Sequence, residues 1–492
     1  MTPYDAPIRF DEARPAAFAV AREVAAEGFD VLLVRDVLGR FSLVVDDGEG
    51  GDGAGGERAE RWRESFTGRL GRYCGERPLV LASVVRLPRT LTASPRAMEV
   101  DAATATTGAV RFLDNTVVGE EWSHVTAPPA AGSGGTPRPR RTALYGFKGG
   151  VGRTTATAVL ARRLADEGRI VLVVDLDLES PGVGPLLLAG GTPCTHGVVD
   201  HLVESALGNA DGLEIVARSG YAPRNRGELW IAPARGAGTG GVPNGYVDKL
   251  NRVYADTDGA RFADRLAATV RACEEAVEAS DSGRPPDVVL LDSRAGIHDV
   301  AAVTISHLCD YALLFGADND QTWSGYRDLF EAWAASGQAP AIRHRLRMVA
   351  SMVPDSVHYS KDTHLASFRR NAHAAFGLLY DSLAPDEVSG ATEGSWDLDD
   401  DAAPHSPVPI LFEPGLVGMN VPNAPDWQER AFVQAAYRDF LDTAVPLILA
   451  DPAADPGAGS AVFTHSAQPT VFTHSAQPTA SAQSAQSEDD RP

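Results

Sequence analysis

Lysine is almost missing from this chain. It occurs at positions 148, 249 and 361 only, against forty-one arginines in 492 residues, a bias of composition that makes each remaining lysine informative. Cysteine is also scarce. Cys74, Cys194, Cys273 and Cys309 stand far apart, with no CxxC pair and no clustered histidines. That spacing argues against a zinc site and a disulfide framework, and it fits reduced thiols in a cytoplasmic protein. No apolar run approaches the roughly 20 residues that span a bilayer. Ile170–Val174, for example, is strand-sized, and the first thirty residues mix Asp, Glu and Arg with short apolar pieces, unlike a signal peptide. Positive charge is in deficit: the formal net charge is −22, a field that repels nucleic-acid backbones and anionic lipids.

What remains is the composition of an ordinary globular protein, 44% hydrophobic and 22% charged, long enough for several domains. Residues 1–126 read as a small α/β module: a helix over Glu12–Glu27, strands at Phe29–Arg35 and Arg40–Val45, an acidic glycine-rich loop, a second helix, then strands at Leu79–Val85 and Val110–Leu113. No catalytic constellation stands out in it. Residues 127–141, APPAAGSGGTPRPRR, read as a Pro/Gly-rich linker. From 142 to 450, short apolar runs alternate with amphipathic helical patterns. The runs are Ala143–Phe147, Ile170–Asp175, Glu228–Ala232, Val288–Leu291, Tyr311–Phe315 and Arg347–Met352, and a last helix is expected over Trp427–Leu441. That alternation predicts a three-layer α/β domain with a mostly parallel sheet between helices. Residues 451–492 are Ala/Ser/Gln/Pro-rich and repeat VFTHSAQPT twice, a composition expected to be a disordered tail.

One stretch carries chemistry. Tyr145-Gly-Phe-Lys-Gly-Gly-Val-Gly-Arg-Thr-Thr155 follows a predicted strand and opens a predicted helix, Thr154–Glu167. Glycines in that setting let backbone N–H groups converge on an anion, and the helix N-terminus adds partial positive charge. The cradle comprises Lys148, Gly149, Gly150, Val151, Gly152, Arg153, Thr154 and Thr155, with the Thr154 hydroxyl placed to ligate Mg²⁺.

The motif KGGVGRTT resembles the deviant Walker A sequence, KGGxGK[ST], of the ParA/MinD family of dimerising ATPases. Two more resemblances follow in order. Ile170–Asp177 ends in Asp-x-Asp, like the family's second-strand motif, and Asp287–Gly296, DVVLLDSRAG, looks like its Walker B strand. The pair KGGxGR and DSRAG is closest to a bacterial subgroup whose members tend to sit in multi-gene regulatory or defence systems. Leu229–Pro233 and Met348–Asp355 extend the likeness over about 141–450.

The resemblance implies a P-loop ATPase that uses ATP and Mg²⁺ as a nucleotide-dependent homodimer with a protein partner. Lys148 would act across the dimer on the other subunit's nucleotide. Asp292 would hold Mg²⁺ through water, and Asp177 would orient the attacking water with support from Asp175. Arg153 stands where the family has its phosphate-binding lysine, a departure that keeps the charge but predicts slow hydrolysis. Phe147 replaces a Walker A glycine. Arg294 either senses the γ-phosphate or pairs with a nearby acid.

Other functions fit less well. A scaffold that binds nucleotide without hydrolysing it shares every motif. A DNA-partitioning ATPase conflicts with the net charge, since Arg343–Asp442 holds eight Lys/Arg against fifteen Asp/Glu. Its one dense basic cluster, Arg343, His344, Arg345 and Arg347, reads as the polar edge of a strand. The acidic run Asp397–Asp401 reads as a solvated loop. A metabolic ligase or reductase of the same superfamily would need a substrate-site signature that is not found. The tail lacks the basic amphipathic helix of membrane-cycling relatives.

Overall fold

The structure, a computed structural model, describes residues 8–36, 38–48, 56–84, 97–115, 120–126, 138–238, 245–254, 260–380, 396–417 and 426–450. Most of the expected linker and the whole repeat tail therefore lie outside the described residues.

The N-terminal module is a five-stranded sheet under two helices. In chain order its elements are α1 (Phe10–Ala26), β1 (Val31–Arg35), β2 (Phe41–Val45), α2 (Gly56–Leu70), β3 (Cys74–Leu81), β4 (Met98–Asp101) and β5 (Val110–Asp114). The strand order is β3-β2-β1-β5-β4, with β1 antiparallel to β2 and parallel to β5. Alternation decides which face is covered. Leu33, Leu43 and Phe112 join Phe18, Val24, Trp62 and Phe66 of the helices in one core, while Leu32, Val44 and Leu113 form a small cluster among themselves. The sequence patterning had missed β4, a four-residue strand with two exposed positions.

The larger domain holds an eight-stranded sheet. Its strands are β6 (Arg140–Gly146), β7 (Ile170–Leu176), β8 (Ala217–Arg218), β9 (Glu228–Ala232), β10 (Val288–Ser293), β11 (Tyr311–Gly316), β12 (Leu346–Val353) and β13 (Val408–Leu411). They lie in the order β13-β12-β11-β6-β10-β7-β9-β8, and only the β8–β9 pair is antiparallel. Both faces are buried. Ala143, Tyr145, Leu172, Val174, Val289 and Leu291 point into one core, and Leu144, Val171, Val173, Val288 and Leu290 into the other. A sheet buried on both sides needs apolar residues at every position, which is why its strands read as unbroken apolar runs. The α/β class and the mostly parallel sheet are as expected.

Three boundaries differ from the sequence reading. Glu120–Thr126 does not belong to the N-terminal module's core. Trp122 is buried against Tyr145 and Trp333, with ring centroids 6.0 and 5.9 Å away, and Glu121 meets His307 at 2.5 Å. The basic end of the linker is ordered as well. Arg138 pairs with Asp310, and Arg141 makes two buried bonds to Glu274, 2.7 and 2.8 Å. Neutralised there, the arginines extend β6 by three residues. The last helix runs over Ala431–Leu449, because Phe440, Ala444, Val445 and Ile448 continue its buried stripe past Leu441.

Candidate functional site

The centre of the sheet presents its strand ends to one loop. β6 lies between β11 and β10, and β10 lies between β6 and β7. The loop after β6 therefore emerges beside the ends of β7 and β10, the position at which open parallel sheets bind ligands. The chain turns there through Gly150 (φ 79°) and Gly152 (φ 75°) into the helix Arg153–Asp166, here α3, one residue earlier than expected. Those φ values favour glycine.

The loop is an open cradle. No atom lies within 4 Å of where a Cβ would stand on Gly149, Gly150 or Gly152. Among the described residues, no backbone group accepts the N–H of Gly149, Gly150, Val151 or Gly152. The first turn of α3 adds further N–H groups that have no intrahelical acceptor. Backbone N–H donors gathered at a helix N-terminus are the kind of arrangement that suits an anion.

Three carboxylates stand beside it. Asp292 and Asp175 are fully buried and pair in register across β10 and β7. Asp177 lies just past the end of β7, with 14% of its side chain exposed. Arg153 does not point out of the loop. It is buried, and its Nη2 donates to Asp177 Oδ2 at 3.0 Å while its Nε donates to Asp292 Oδ1 at 3.2 Å. Thr157 also donates to Asp292 Oδ1, at 3.3 Å, and Asp292 Oδ2 is buried with no hydrogen-bond partner among the described residues. Asp175 accepts the N–H groups of Asp177, Gly182 and Gly184. Burial raises all three carboxyl pKa values above the ordinary range. Asp175 is raised furthest, by burial and then by the Asp292 charge, while Arg153 offsets part of the rise at Asp177 and Asp292.

The other expected residues fall around this centre. Thr154 faces Gly182, where an added Cβ would approach its Cγ2 to 3.1 Å. Thr155 lines the adjoining cavity. Lys148 is exposed, and its side chain makes no hydrogen bond or ion pair among the described residues. Arg294 is not free: it pairs with Glu179, which also accepts from Tyr254 and lies 3.5 Å from His298. Burial holds the His298 pKa below its ordinary value, against the pull of Glu179. Two arginines of the basic cluster are spent on the domain's own backbone, and a third, Arg343, donates to the His344 ring. Arg347 donates to the carbonyls of Asp401, Ala402 and Ala403, and Arg345 to those of Thr126, Ile305 and Cys309.

Some contacts around the site could not be read from the sequence. Phe147 packs against Gly325 and Tyr326 of the helix Asp320–Ala335, anchoring the loop where most P-loops have glycine. A cavity of about 340 Å³ opens beside Gly150–Thr155, walled by Met352, Phe412, Glu413, Leu416 and Tyr437. Met352 has φ 58°, a strained value for a residue with a side chain. Only the strand order brings these distant segments to the loop, and the one local signal was the short run Val408–Leu411.

Residues 142–225 match the family model described as the CobQ/CobB/MinD/ParA nucleotide binding domain. Solved structures similar to the chain include pNOB8 ParA bound to nonspecific DNA, at 15% identity over 63% of this chain and 97% of that one, TM-score 0.37. A ParA family ATPase from Chlorobium tepidum TLS matches at 13% identity over 62% and 98%, TM-score 0.38. The MinD cell division protein of Aquifex aeolicus matches at 17% identity over 62% and 97%, TM-score 0.33. No curated protein matches the chain. No helix among the described residues is long and apolar enough to cross a membrane.

Proposed function

We propose that the CobQ/CobB/MinD/ParA domain of this chain is a slow ATPase switch. It binds ATP with Mg²⁺, dimerises in the nucleotide-bound form and regulates a protein partner in a multi-gene regulatory or defence system. The observation that carries the reading is the run of N–H groups from Gly149 to Gly152 that no backbone group accepts among the described residues, set beside two buried carboxylates at the ends of adjacent strands. Phosphates would take the N–H groups. The cavity beside the loop, apolar on the side of Met352, Leu416 and Tyr437, suits a nucleoside.

The residues fit a divalent cation. Asp292 has a buried Oδ2 with no hydrogen-bond partner among the described residues, and Thr154, whose hydroxyl interacts with the Asp292 carboxyl group, stands on the first turn of α3. Magnesium would supply neutralisation of phosphate charge. Asp177 would orient water at the γ-phosphate, and Asp175 would hold the loop after β7 through its three N–H bonds.

Lys148 is one of three lysines in the chain, it is exposed, and it has no partner among the described residues. Those facts support a role outside its own subunit, on the nucleotide of a second copy. Light scattering with a non-hydrolysable ATP analogue tests this. The wild type is expected to dimerise and Lys148→Ala to stay monomeric while binding nucleotide. A Lys148→Ala variant that dimerises like the wild type would refute the cross-subunit role.

Hydrolysis is the point on which a second reading differs. If no γ-phosphate is released over many hours with or without a second copy bound, the domain is a nucleotide-binding scaffold. The arginine at position 153 favours that outcome over a fast enzyme.

A further inference from the structure

We propose that Arg153 is a latch: in the nucleotide-free chain its guanidinium serves as counter-ion to Asp177 and Asp292, and it moves to the nucleotide phosphates only as a divalent cation takes over those carboxylates. The inference rests on the nucleotide-binding reading and adds to it an order of events. A residue that only waited for phosphate would stand in the cradle or in solvent. Arg153 is instead 7% exposed and engaged at two nitrogens, 3.0 Å from Asp177 and 3.2 Å from Asp292.

The type of residue matters. Nε and Nη2 lie on one rigid plane and hold two carboxylates at a fixed spacing, whereas an ammonium offers its three donors from a single point on a flexible stem, without that preset geometry. The departure from the family's lysine is thereby given a purpose. The surroundings make the arginine hard to withdraw. Asp292 has 0% exposure and lies beside Asp175, also at 0%. Taking away one partner of a buried ion pair leaves the other charge uncompensated, which is strongly unfavourable. Arg153 can therefore leave only if positive charge arrives in its place. Asp292 Oδ2, which has no hydrogen-bond partner among the described residues, and the Thr154 hydroxyl beside that carboxyl group are where the incoming cation would be received.

The consequence is coupling. Nucleotide without a divalent cation meets a loop whose one buried cation is committed elsewhere, so its affinity is reduced by the small fraction of molecules with the latch open. Loosening the latch should recover that affinity without any cation.

Two arms test this on the full chain. In the first, no nucleotide is used. Arg153→Met should lower the melting temperature by about 6–12 °C, and adding Asp292→Asn to Arg153→Met should restore part of the loss. A melting temperature unchanged in Arg153→Met would overturn the latch. In the second arm, ADP binding is titrated in EDTA. Asp177→Asn, which removes one of the two holds on an intact Arg153, should bind ADP about tenfold more tightly than the wild type. Equal or weaker ADP binding by Asp177→Asn would overturn the proposed competition. If neither protein binds ADP even with Mg²⁺, the nucleotide-binding reading fails, whereas the first arm still decides the counter-ion role of Arg153.

Discussion

Phe147 lies against the backbone of Gly325, so closely that a methyl group at position 325 would overlap its ring. The ring sits 6.4 Å from that of Tyr326, in the same helix. The phosphate loop is thus braced from below by an aromatic residue where the general Walker pattern has glycine. Gly325→Ala should force the ring out. It is expected to destabilise the domain by about 1–3 kcal/mol and to weaken nucleotide binding with it. Chemical denaturation and calorimetry check this, and a variant with wild-type stability and affinity would show that the loop does not depend on the brace.

Trp122 bridges the segment after the N-terminal module to the nucleotide-binding domain. Its indole is 4% exposed and lies between Tyr145, on the strand that feeds the loop, and Trp333. Trp122→Ala should cost about 3–5 kcal/mol by denaturant unfolding. A loss under 1 kcal/mol would mean that residues 120–126 are dispensable to the domain.

His201 tests the sign of a buried titration. Burial lowers its pKa, and its Nδ1 lies 2.9 Å from the Thr269 hydroxyl. The unfolded chain therefore takes up the proton first as the pH falls below about 6.5. Because the folded pKa is depressed, the stabilising contribution is fully present above that value and is lost as the pH falls through the folded pKa. His201→Asn keeps a polar group near Thr269 but does not titrate. The stability gap between wild type and variant should narrow between pH 7.5 and 5.5. A gap that is constant with pH would show that His201 does not contribute this dependence.

The comparison of sequence with structure divides along physical lines. The strands β7, β9 and β10 were legible because both faces of the sheet are buried, so apolar runs and strand limits nearly coincide. The phosphate loop was legible because glycine spacing is a local requirement. What failed was whatever depends on distant partners. Arg138–Arg141 looked like a linker because Asp310 and Glu274 lie more than a hundred residues away. Trp122 looked like part of the first module for the same reason. Arg294 pairs with Glu179, a contact that loop positions alone could not show. Arg153 was read correctly as a departure, but its engagement with both carboxylates needed the register of β7 against β10.

Turnover follows from the same centre. Arginine presents a bulkier and differently shaped donor than lysine, and a misaimed donor costs about 10²–10³ in rate. Wild-type hydrolysis is expected to be slow, Arg153→Lys faster, and Asp177→Ala slower while still binding ATP. Phosphate release under single-turnover conditions measures all three. Brisk wild-type turnover together with a slower Arg153→Lys would make arginine the tuned residue and end the slow-switch account.

The most direct test of the central claim is a calorimetric titration of ATP with Mg²⁺ into the wild type and into Gly152→Val. Gly152 adopts φ 75° and faces open space, so valine both strains the turn and fills the cradle. Circular dichroism and a melting curve confirm that the variant is folded. The account predicts a saturable, Mg²⁺-dependent isotherm for the wild type and none for Gly152→Val. Equal affinity in the two folded proteins would contradict it, because the phosphates would then bind somewhere other than this loop.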